Sequence, residues 1–397
     1  MVALRDIPTS TVLTALTVVL CVFGAVMVGS ASEVVSIETY GSPWQILLRE
    51  CLWLVVGAVA FALSARLDHR HWRRISGVLL VATFVLLLAV LVPGVGTYVG
   101  GSTRWIGVGP LVVQPSEIMK LALVLAGADL IVRRERQDGA HRTVVGPLLL
   151  LTAAAAGLVL VQPDMGTAVV LGCIAVALLF ASGVPMGPII KLLAAVGGLA
   201  VVFGLADPYR RERLLSFIHP GANASSSGYQ VLQSLIGLGS GHLLGVGLGN
   251  GAEKWGYLPN PHTDFIFSVI GEELGLVGAV CVLLLLVAFC WFGLRVAARA
   301  TDRFGALLAV GLVAWIAAET VINVGAVVGL LPVTGIPLPF ISYGGSSLVL
   351  TLLASGILVS IARRERAGAG SAADRDRRRT TLSRSGALPA GASAGRR

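Results

Sequence analysis

One aspartate, Asp264, stands where a polar loop ends and a long apolar segment begins, in the stretch PNPHTDFIF at residues 259–267. We expect Asp264 to lie at the water–lipid boundary on the first turn of a helix, because the free N–H groups at a helix start favour a carboxylate. Thr263 is then a candidate cap for those groups. Two interpretations stay open: an ordinary capped transmembrane helix, or an active-site general base.

Four further charged residues lie beside apolar segments and away from the most basic loops. They are Arg104 in GSTRW, Glu117 and Lys120 in QPSEIMK, and Asp164 in QPD. Together with Asp264 they place two cations and three carboxylates on one side of the membrane, which suits a diphosphate headgroup and a proton acceptor. The carboxylates could also hold a divalent cation, Mg or Mn, against the diphosphate. No other cofactor is indicated.

Each of these residues also has a structural explanation. Glu117 and Lys120 are three residues apart, so they share a helix face and could form a local ion pair. The two Gln-Pro-acid motifs could be simple helix starts, because proline favours the first helical turn. Asp164 could accept hydrogen bonds from the backbone at its bend. The fact that all five charges fall on the same side favours a functional site.

The elements that must position these residues are transmembrane helices. Hydrophobic residues make up 55% of the 397-residue chain, charged residues only 13%, and the mean hydropathy is +0.85. A soluble domain carries roughly 25% charged residues, and continuous apolar runs that do not alternate predict helices, not a barrel. We therefore expect an all-α integral membrane protein. The net charge of +9 comes mostly from arginines at helix ends and in the tail. This distribution indicates how the chain is oriented in the membrane and does not indicate nucleic-acid binding.

About ten segments have the length and apolarity of membrane spans. They lie near residues 11–30, 46–65, 76–95, 115–133, 143–162, 165–183, 187–205, 264–294, 304–330 and 339–362. With ten spans, the basic clusters near residues 68–74, 133–136, 295–303 and 363–364 all fall on one side, which the positive-inside rule makes cytoplasmic. Both termini are then cytoplasmic, and the five charges of the candidate site are extracytoplasmic.

The spans form one predicted membrane domain of residues 11–363. A short cytoplasmic segment, residues 1–10, precedes it, and a basic tail of residues 364–397 follows it and is expected to be disordered. One large extracytoplasmic loop, residues 206–263, joins the seventh and eighth spans. Within that loop residues 229–248 are too apolar for disorder, so we expect them to lie in the interface or to dip into the membrane.

Polar residues inside the spans receive a structural interpretation. Glu272 and Glu273 are expected to link helices or to form one wall of a channel. Glu319 and Asn323 are four residues apart on one helix face and are interpreted in the same way. The segment at 335–347, GIPLPFISYGGSS, contains serines, but only His262 is placed to assist one of them, so serine hydrolysis is not favoured. No P-loop, HExxH or CxxC pattern is present, which argues against ATP chemistry and a disulfide framework.

Five motifs in order resemble the SEDS family, the shape, elongation, division and sporulation proteins of bacteria. They are GSTRWI (101–106), QPSEIMKLAL (114–123), QPDMGTAVV (162–170), the stretch 245–278 that contains HTDFIF, and LPVTGIPLPFISYGGSSL (331–348). The resemblance runs from about residue 10 to residue 363, and it is closer to division-type than to elongation-type members. This chain has Asn260-Pro261 where many members have Glu-Ala, so an acid at position 260 has no role here.

The resemblance implies an inverting peptidoglycan glycosyltransferase that polymerises lipid II outside the bacterial cytoplasmic membrane, in the division septum. It implies Asp264 as the catalytic residue and functional roles for Glu117, Lys120 and Asp164; Arg104 and His262 complete the predicted substrate-binding set. Implied partners are lipid II, lipid-linked glycan, a class B penicillin-binding protein and other division proteins.

Three rival functions stay open at this stage. A lipid II flippase also needs a lipid-sized groove and an anion site. Acids inside the spans, such as Glu319, are the reason to retain this alternative. A non-catalytic division scaffold predicts that Asp264 can be replaced without harm. A proton-coupled transporter is weaker, since no inverted repeat of broken helices is apparent.

Overall fold

The protein is an assembly of long helices with one small sheet. The computed structural model describes residues 7–99, 102–108, 111–138, 142–206 and 227–385. The helices are α1 (Thr9–Tyr40), α2 (Gln45–Arg66), α3 (His69–Val90), α4 (Pro115–Asp138), α5 (Arg142–Val161), α6 (Met165–Ala181), α7 (Met186–Ala206), α8 (Ser227–Ser240), α9 (Ile266–Arg299), α10 (Arg303–Val327) and α11 (Gly345–Ser385). The strands are β1 (Thr97–Val99), β2 (Ser102–Val108) and β3 (Leu111–Val113).

The helices agree with the apolar segments of the sequence. Each predicted span coincides with a helix, and seven helices of the described ranges are long and apolar enough to cross a membrane: α1, α2, α3, α5, α9, α10 and the first 21 residues of α11. Helix α6 is apolar but has only 17 residues. The chain is therefore a mostly helical multi-pass membrane protein, as expected from its composition. The count of ten spans and the orientation stay predictions.

The connection between α3 and α4 forms an antiparallel sheet in the order β1-β2-β3. No strand is predicted here from the sequence. Its strands contain β-branched and aromatic residues, which fit a pleated surface. Strand β2 carries Arg104 and contacts α4, so the sheet attaches Arg104 to the helix that carries Glu117 and Lys120.

Helix α9 is broken at Gly275, where φ is 68° and ψ is −169°. Residues 242–247 pack against the break with their backbone: Leu276 N donates to His242 O at 3.0 Å, and Val246 N donates to Glu272 O at 3.0 Å. Close approach is possible because glycine has no side chain, and a methyl group added at Gly241 would lie 1.9 Å from Gly271 O. The apolar stretch 229–248 is thus split between α8 and a loop that hydrogen-bonds to the backbone of α9 at its break.

Ion pairs join the predicted cytoplasmic helix ends. Asp302 caps α10 through a bond from Gly305 N, and its other oxygen lies 2.6 Å from His69 Nε2 at the start of α3. Arg73 Nε lies 2.6 Å from Asp129 Oδ1 near the end of α4. Since Asp129 is twelve residues beyond Glu117, this end of α4 is about 18 Å from the candidate site. The basic clusters and the candidate site therefore lie at different ends of the helices.

The last helix is longer than the sequence predicted. Disorder was expected from residue 364, whereas α11 continues to Ser385. The alanine and arginine residues of this stretch are good helix formers, so continuing an existing helix needs no new nucleation. Residues 386–397 lie outside the described part of the chain.

Candidate functional site

Asp164 joins the starts of α4 and α6. It caps α6, because Thr167 N donates to its Oδ1 at 3.1 Å. Its Oδ2 accepts hydrogen bonds from Gln114 Nε2 at 2.9 Å and from Ser116 Oγ at 3.0 Å. The side chain is buried. The expected backbone bond at this bend is present, and the additional bonds fix one helix start against the other.

The starts of α9 and α11 lie beside them. Gln114 N donates to Ser346 Oγ, in the first turn of α11, at 3.4 Å. Tyr343 N, just before α11, donates to His262 O, just before α9, at 2.9 Å. Four helix N-termini are therefore linked in one region. Each N-terminus carries a partial positive charge, so this region favours an anionic ligand.

Lys120 is held between two carboxylates. Its Nζ lies 2.7 Å from Glu117 Oε2 and also forms an ion pair with Glu319 of α10. The Trp315 ring centroid is 5.0 Å from the same nitrogen. Lys120 is only 1% exposed and Glu319 equally so. The predicted pair of Glu117 and Lys120 is present, but the lysine is covered and its charge is balanced from within the protein.

Asp264 is not on a helical turn. Helix α9 begins at Ile266 with Phe265 as its N-cap, and no side chain caps it. Thr263 Oγ1 bonds to Asn260 O at 3.2 Å instead, so the predicted cap and the predicted first-turn position are both wrong. Asn260 has a left-handed φ of 53°, and residues 261–265 form a turn that ends before the helix begins.

Two neighbours fix the position of Asp264, which is half-buried. Asn323 of α10 donates from Nδ2 to Asp264 O and to Ile336 O, each at 2.8 Å. Gly335 lies against the carboxylate, because a methyl group added there would be 3.6 Å from Asp264 Oδ2. The main chain of Asp264 is thereby tied both to α10 and to the segment that precedes α11.

His262 is buried two residues before Asp264. Its ring centroid is 5.5 Å from that of Tyr343, and its Nδ1 has no hydrogen-bond partner among the described residues. Burial lowers the pKa of His262 to about 4, so the side chain is neutral near pH 7. A substrate contact by His262 would therefore be a neutral hydrogen bond, not an ionic one.

Arg104 is half-buried on β2, and its Nε is a buried donor with no partner among the described residues. The structure thus joins Glu117, Lys120 and Asp164 at the starts of α4 and α6, ties Asp264 to α10, and places Arg104 on the sheet that packs against α4.

The sequence motifs do not predict the part that α10 and α11 take in this site. Glu319 and Asn323 were expected to link helices or to form one wall of a channel, and each bonds to a predicted site residue. Gln114 and Ser346 were not singled out. The i,i+4 spacing of the two α10 residues was the available signal, because two buried polar side chains on one face need partners on a neighbouring element.

The other buried acids form a separate cluster. Glu272 accepts a bond from Ala252 N at 2.7 Å, and Glu273 accepts bonds from Ser30 Oγ at 2.7 and 2.8 Å. Lys254 Nζ donates to Gly249 O at 2.6 Å. These bonds link α9 to α1 and to the outer loop. Burial, and secondarily the carboxylate of Glu272, raise the pKa of Glu253 to about 7.

The described residues do not form a protein-only metal site. No group of three or more His, Cys, Asp and Glu side chains within them is arranged to hold a metal ion. Of the predicted carboxylates, Glu117 pairs with Lys120, and Asp164 accepts bonds from α4 and α6.

The chain is also similar in sequence to known proteins. Residues 11–367 match the family model FTSW_RODA_SPOVE, described as cell cycle protein. The chain is 39% identical to stage V sporulation protein E of Bacillus subtilis over 352 residues, which cover 88% of this chain and 96% of the relative. It is 40% identical to the probable peptidoglycan glycosyltransferase FtsW of Coxiella burnetii over 351 residues, covering 87% and 94% of the two chains.

Solved structures show the same fold. A chain from a study titled "Structural coordination of polymerization and crosslinking by a peptidoglycan synthase complex" superposes with a TM-score of 0.73 at 30% identity, covering 89% of this chain and 97% of that chain. The rod shape determining protein RodA of Thermus thermophilus superposes with a TM-score of 0.67 at 29% identity, covering 89% and 96%.

Proposed function

Because this chain belongs to the FtsW, RodA and SpoVE family, we propose that it is a peptidoglycan glycosyltransferase that polymerises lipid II at the outer face of the bacterial cytoplasmic membrane. Relatives named FtsW support a role in the division septum. The observation that carries the proposal is the meeting of four helix N-termini beside Asp264. Such a region binds a diphosphate and lies next to a carboxylate that can accept a proton.

The proposed reaction is an inverting displacement. Asp264 accepts the proton of the acceptor sugar hydroxyl, and the hydroxyl oxygen attacks the anomeric carbon of the donor. The bond from that carbon to the lipid diphosphate breaks, and the diphosphate leaves with the electron pair. An α-linked donor becomes a β-1,4 glycan. A positioned general base contributes typically 10²–10⁴-fold to such a step.

The remaining residues divide between binding and support. Arg104 has a buried donor with no partner among the residues that the structure describes and is assigned to the diphosphate, where a guanidinium can make paired bonds. Glu117 and Glu319 cover Lys120. We therefore assign Lys120 to the electrostatic field at the site in preference to a direct contact with the substrate. Asp164 fixes the helix starts, and His262 offers a neutral contact near the acceptor.

The proposed partner is a class B penicillin-binding protein, which would cross-link the new strand. The support is the likeness to a chain of a peptidoglycan synthase complex. Polymerisation at an outer site needs no ATP, because the diphosphate is the leaving group.

A lipid II flippase is the second candidate, and the break of α9 at Gly275 favours it, since broken helices form binding sites in transporters. The acids next to the break argue against an open path, because Glu272 and Glu273 are bonded to the outer loop and to Ser30. Both candidates use the same lipid.

The test uses purified protein, with and without its penicillin-binding partner, and labelled lipid II. We expect wild type to form glycan chains and folded Asp264→Asn to form none. If Asp264→Asn polymerises like wild type, Asp264 is not the base. If neither forms chains but lipid II crosses liposome bilayers, the flippase is the correct function.

A further inference from the structure

Helix α10 presents three polar or aromatic residues on one face. Trp315, Glu319 and Asn323 follow one another at intervals of four residues, so they lie in a row along the helix. All three are almost fully buried, with exposures of 0%, 1% and 2%. Buried polar side chains of this kind need partners, and the partners found here are residues of the candidate site.

The first two residues of the row hold Lys120. Glu319 forms an ion pair with its ammonium group, and the Trp315 ring lies beside the same nitrogen. A cation next to an indole face is attracted to the ring. The end of the Lys120 side chain is therefore fixed by α10 as well as by Glu117 on its own helix.

The third residue holds the main chain of Asp264. Asn323 Nδ2 donates to Asp264 O and Ile336 O, both at 2.8 Å. Both partners are carbonyl oxygens, so only the NH₂ group can face them and the orientation of the amide is fixed. Gly335, where an added methyl group would lie 3.6 Å from Asp264 Oδ2, is the neighbour of the second partner. The Asn323 side chain therefore holds Asp264 in a position where its carboxylate lies near Gly335.

We propose that Glu319 and Asn323 are positioning residues that set the distance between Lys120 and Asp264. One helical turn, about 6 Å of rise, separates the two α10 residues. Lys120 lies on α4 and Asp264 in the turn before α9, far apart in sequence, and α10 bonds to the ammonium group of the first and to the main chain of the second. This inference rests on the proposed function, since it assigns roles in the same reaction.

The experiment compares Asn323→Asp, Asn323→Gln and Glu319→Gln with wild type in the lipid II polymerisation assay, in complex with the partner. Asn323→Asp keeps the shape of the side chain but replaces the NH₂ donor that faces two carbonyl oxygens with an oxygen, which is an acceptor. We expect its kcat to fall by about 100-fold, because a misplacement of 1 Å can cost that much, with KM nearly unchanged. Asn323→Gln keeps the donors and should recover part of the rate.

Glu319→Gln tests the other half of the row. Freed from one partner, Lys120 should shift away from α10, and KM for lipid II should rise about 10-fold. Thr320→Val is the matched control, because the Thr320 hydroxyl donates to Ile316 O of its own helix at 2.8 Å and, within the described ranges, to no site residue. It should leave both constants unchanged. Size-exclusion profiles and thermal unfolding in detergent show which variants are folded.

The outcomes separate this inference from the proposed function. If folded Asn323→Asp and Glu319→Gln keep wild-type kcat and KM while Asp264→Asn is inactive, the positioning roles are wrong and the proposed function stands. If Asn323→Asp does not fold, Asn323→Gln and Glu319→Gln decide: a lowered kcat in the first and a raised KM in the second support positioning, and wild-type constants in both overturn it. Polymerisation by Asp264→Asn overturns the proposed base instead.

Discussion

Lys120 of α4 and Glu319 of α10 form an ion pair across the helix bundle, with both side chains 1% exposed. Breaking a buried pair by removing one charge is strongly destabilising, because the remaining charge has no solvent to screen it. The positive charge of Lys120 balances two carboxylates, whereas Glu319 is one of the two carboxylates that share the charge of Lys120. The two residues are therefore not equivalent for stability.

We predict that Lys120→Met lowers stability more than Glu319→Gln does. The methionine variant leaves Glu117 and Glu319 buried without a counter-charge, at a cost of about 3–5 kcal/mol. The glutamine variant leaves Lys120 paired with Glu117. The measurement is thermal unfolding in detergent at pH 7. An equal loss in both variants would contradict the asymmetry.

Asp164 should matter through its hydrogen bonds. Asp164→Ala removes the cap of α6 and the bonds from Gln114 and Ser116, so we expect a loss of about 1–2 kcal/mol from the cap alone. Asp164→Asn keeps an oxygen for the cap and should lose less. Thermal unfolding of both variants checks this, and identical losses would show that the cap contributes nothing.

Gly335→Ala should reduce polymerase activity by more than its loss of stability explains. Its φ of 76° costs an alanine roughly 1–2 kcal/mol, and the added methyl group would touch Asp264 Oδ2. Gly41→Ala is the control, because Gly41 has a φ of 71° and nothing within 4 Å of an added methyl group. Both variants should lose similar stability, but only Gly335→Ala should polymerise lipid II slowly. Equal activity in the two would remove Gly335 from the site.

His262 should make stability depend on pH. Burial lowers its pKa in the folded protein to about 4, below the ordinary value of 6.5, so between these values only the unfolded chain binds the proton. The contribution of His262 to the free energy of unfolding should therefore fall as pH decreases from about 6.5 toward 4, by at most about 1.4 kcal/mol per pH unit.

The measurement is thermal unfolding in detergent from pH 7.5 to 5 for wild type, His262→Gln and His71→Gln. Replacing His262 should flatten the curve below pH 6.5. His71 is exposed, so its variant should follow wild type. If His262→Gln follows wild type as well, the histidine is not held neutral by its burial.

The amino-acid sequence by itself determined the helices and the chemical groups. Apolar runs of about twenty residues can satisfy their backbone in lipid only as helices, and each run is a helix in the structure. The short-range pair of Glu117 and Lys120 followed from helix periodicity. Five motifs in order likewise resembled the family that the comparisons show.

Tertiary structure alone decided how the groups meet. The pair of Lys120 and Glu319 spans 199 residues of sequence, and the bond from Asn323 to Asp264 spans 59. Periodicity is a local property, so it places a residue on a face but does not name the helix opposite. The turn that holds Asp264 ahead of α9 is likewise bonded by the distant side chain of Asn323, and the break at Gly275 is bonded by the backbone of residues 242–247.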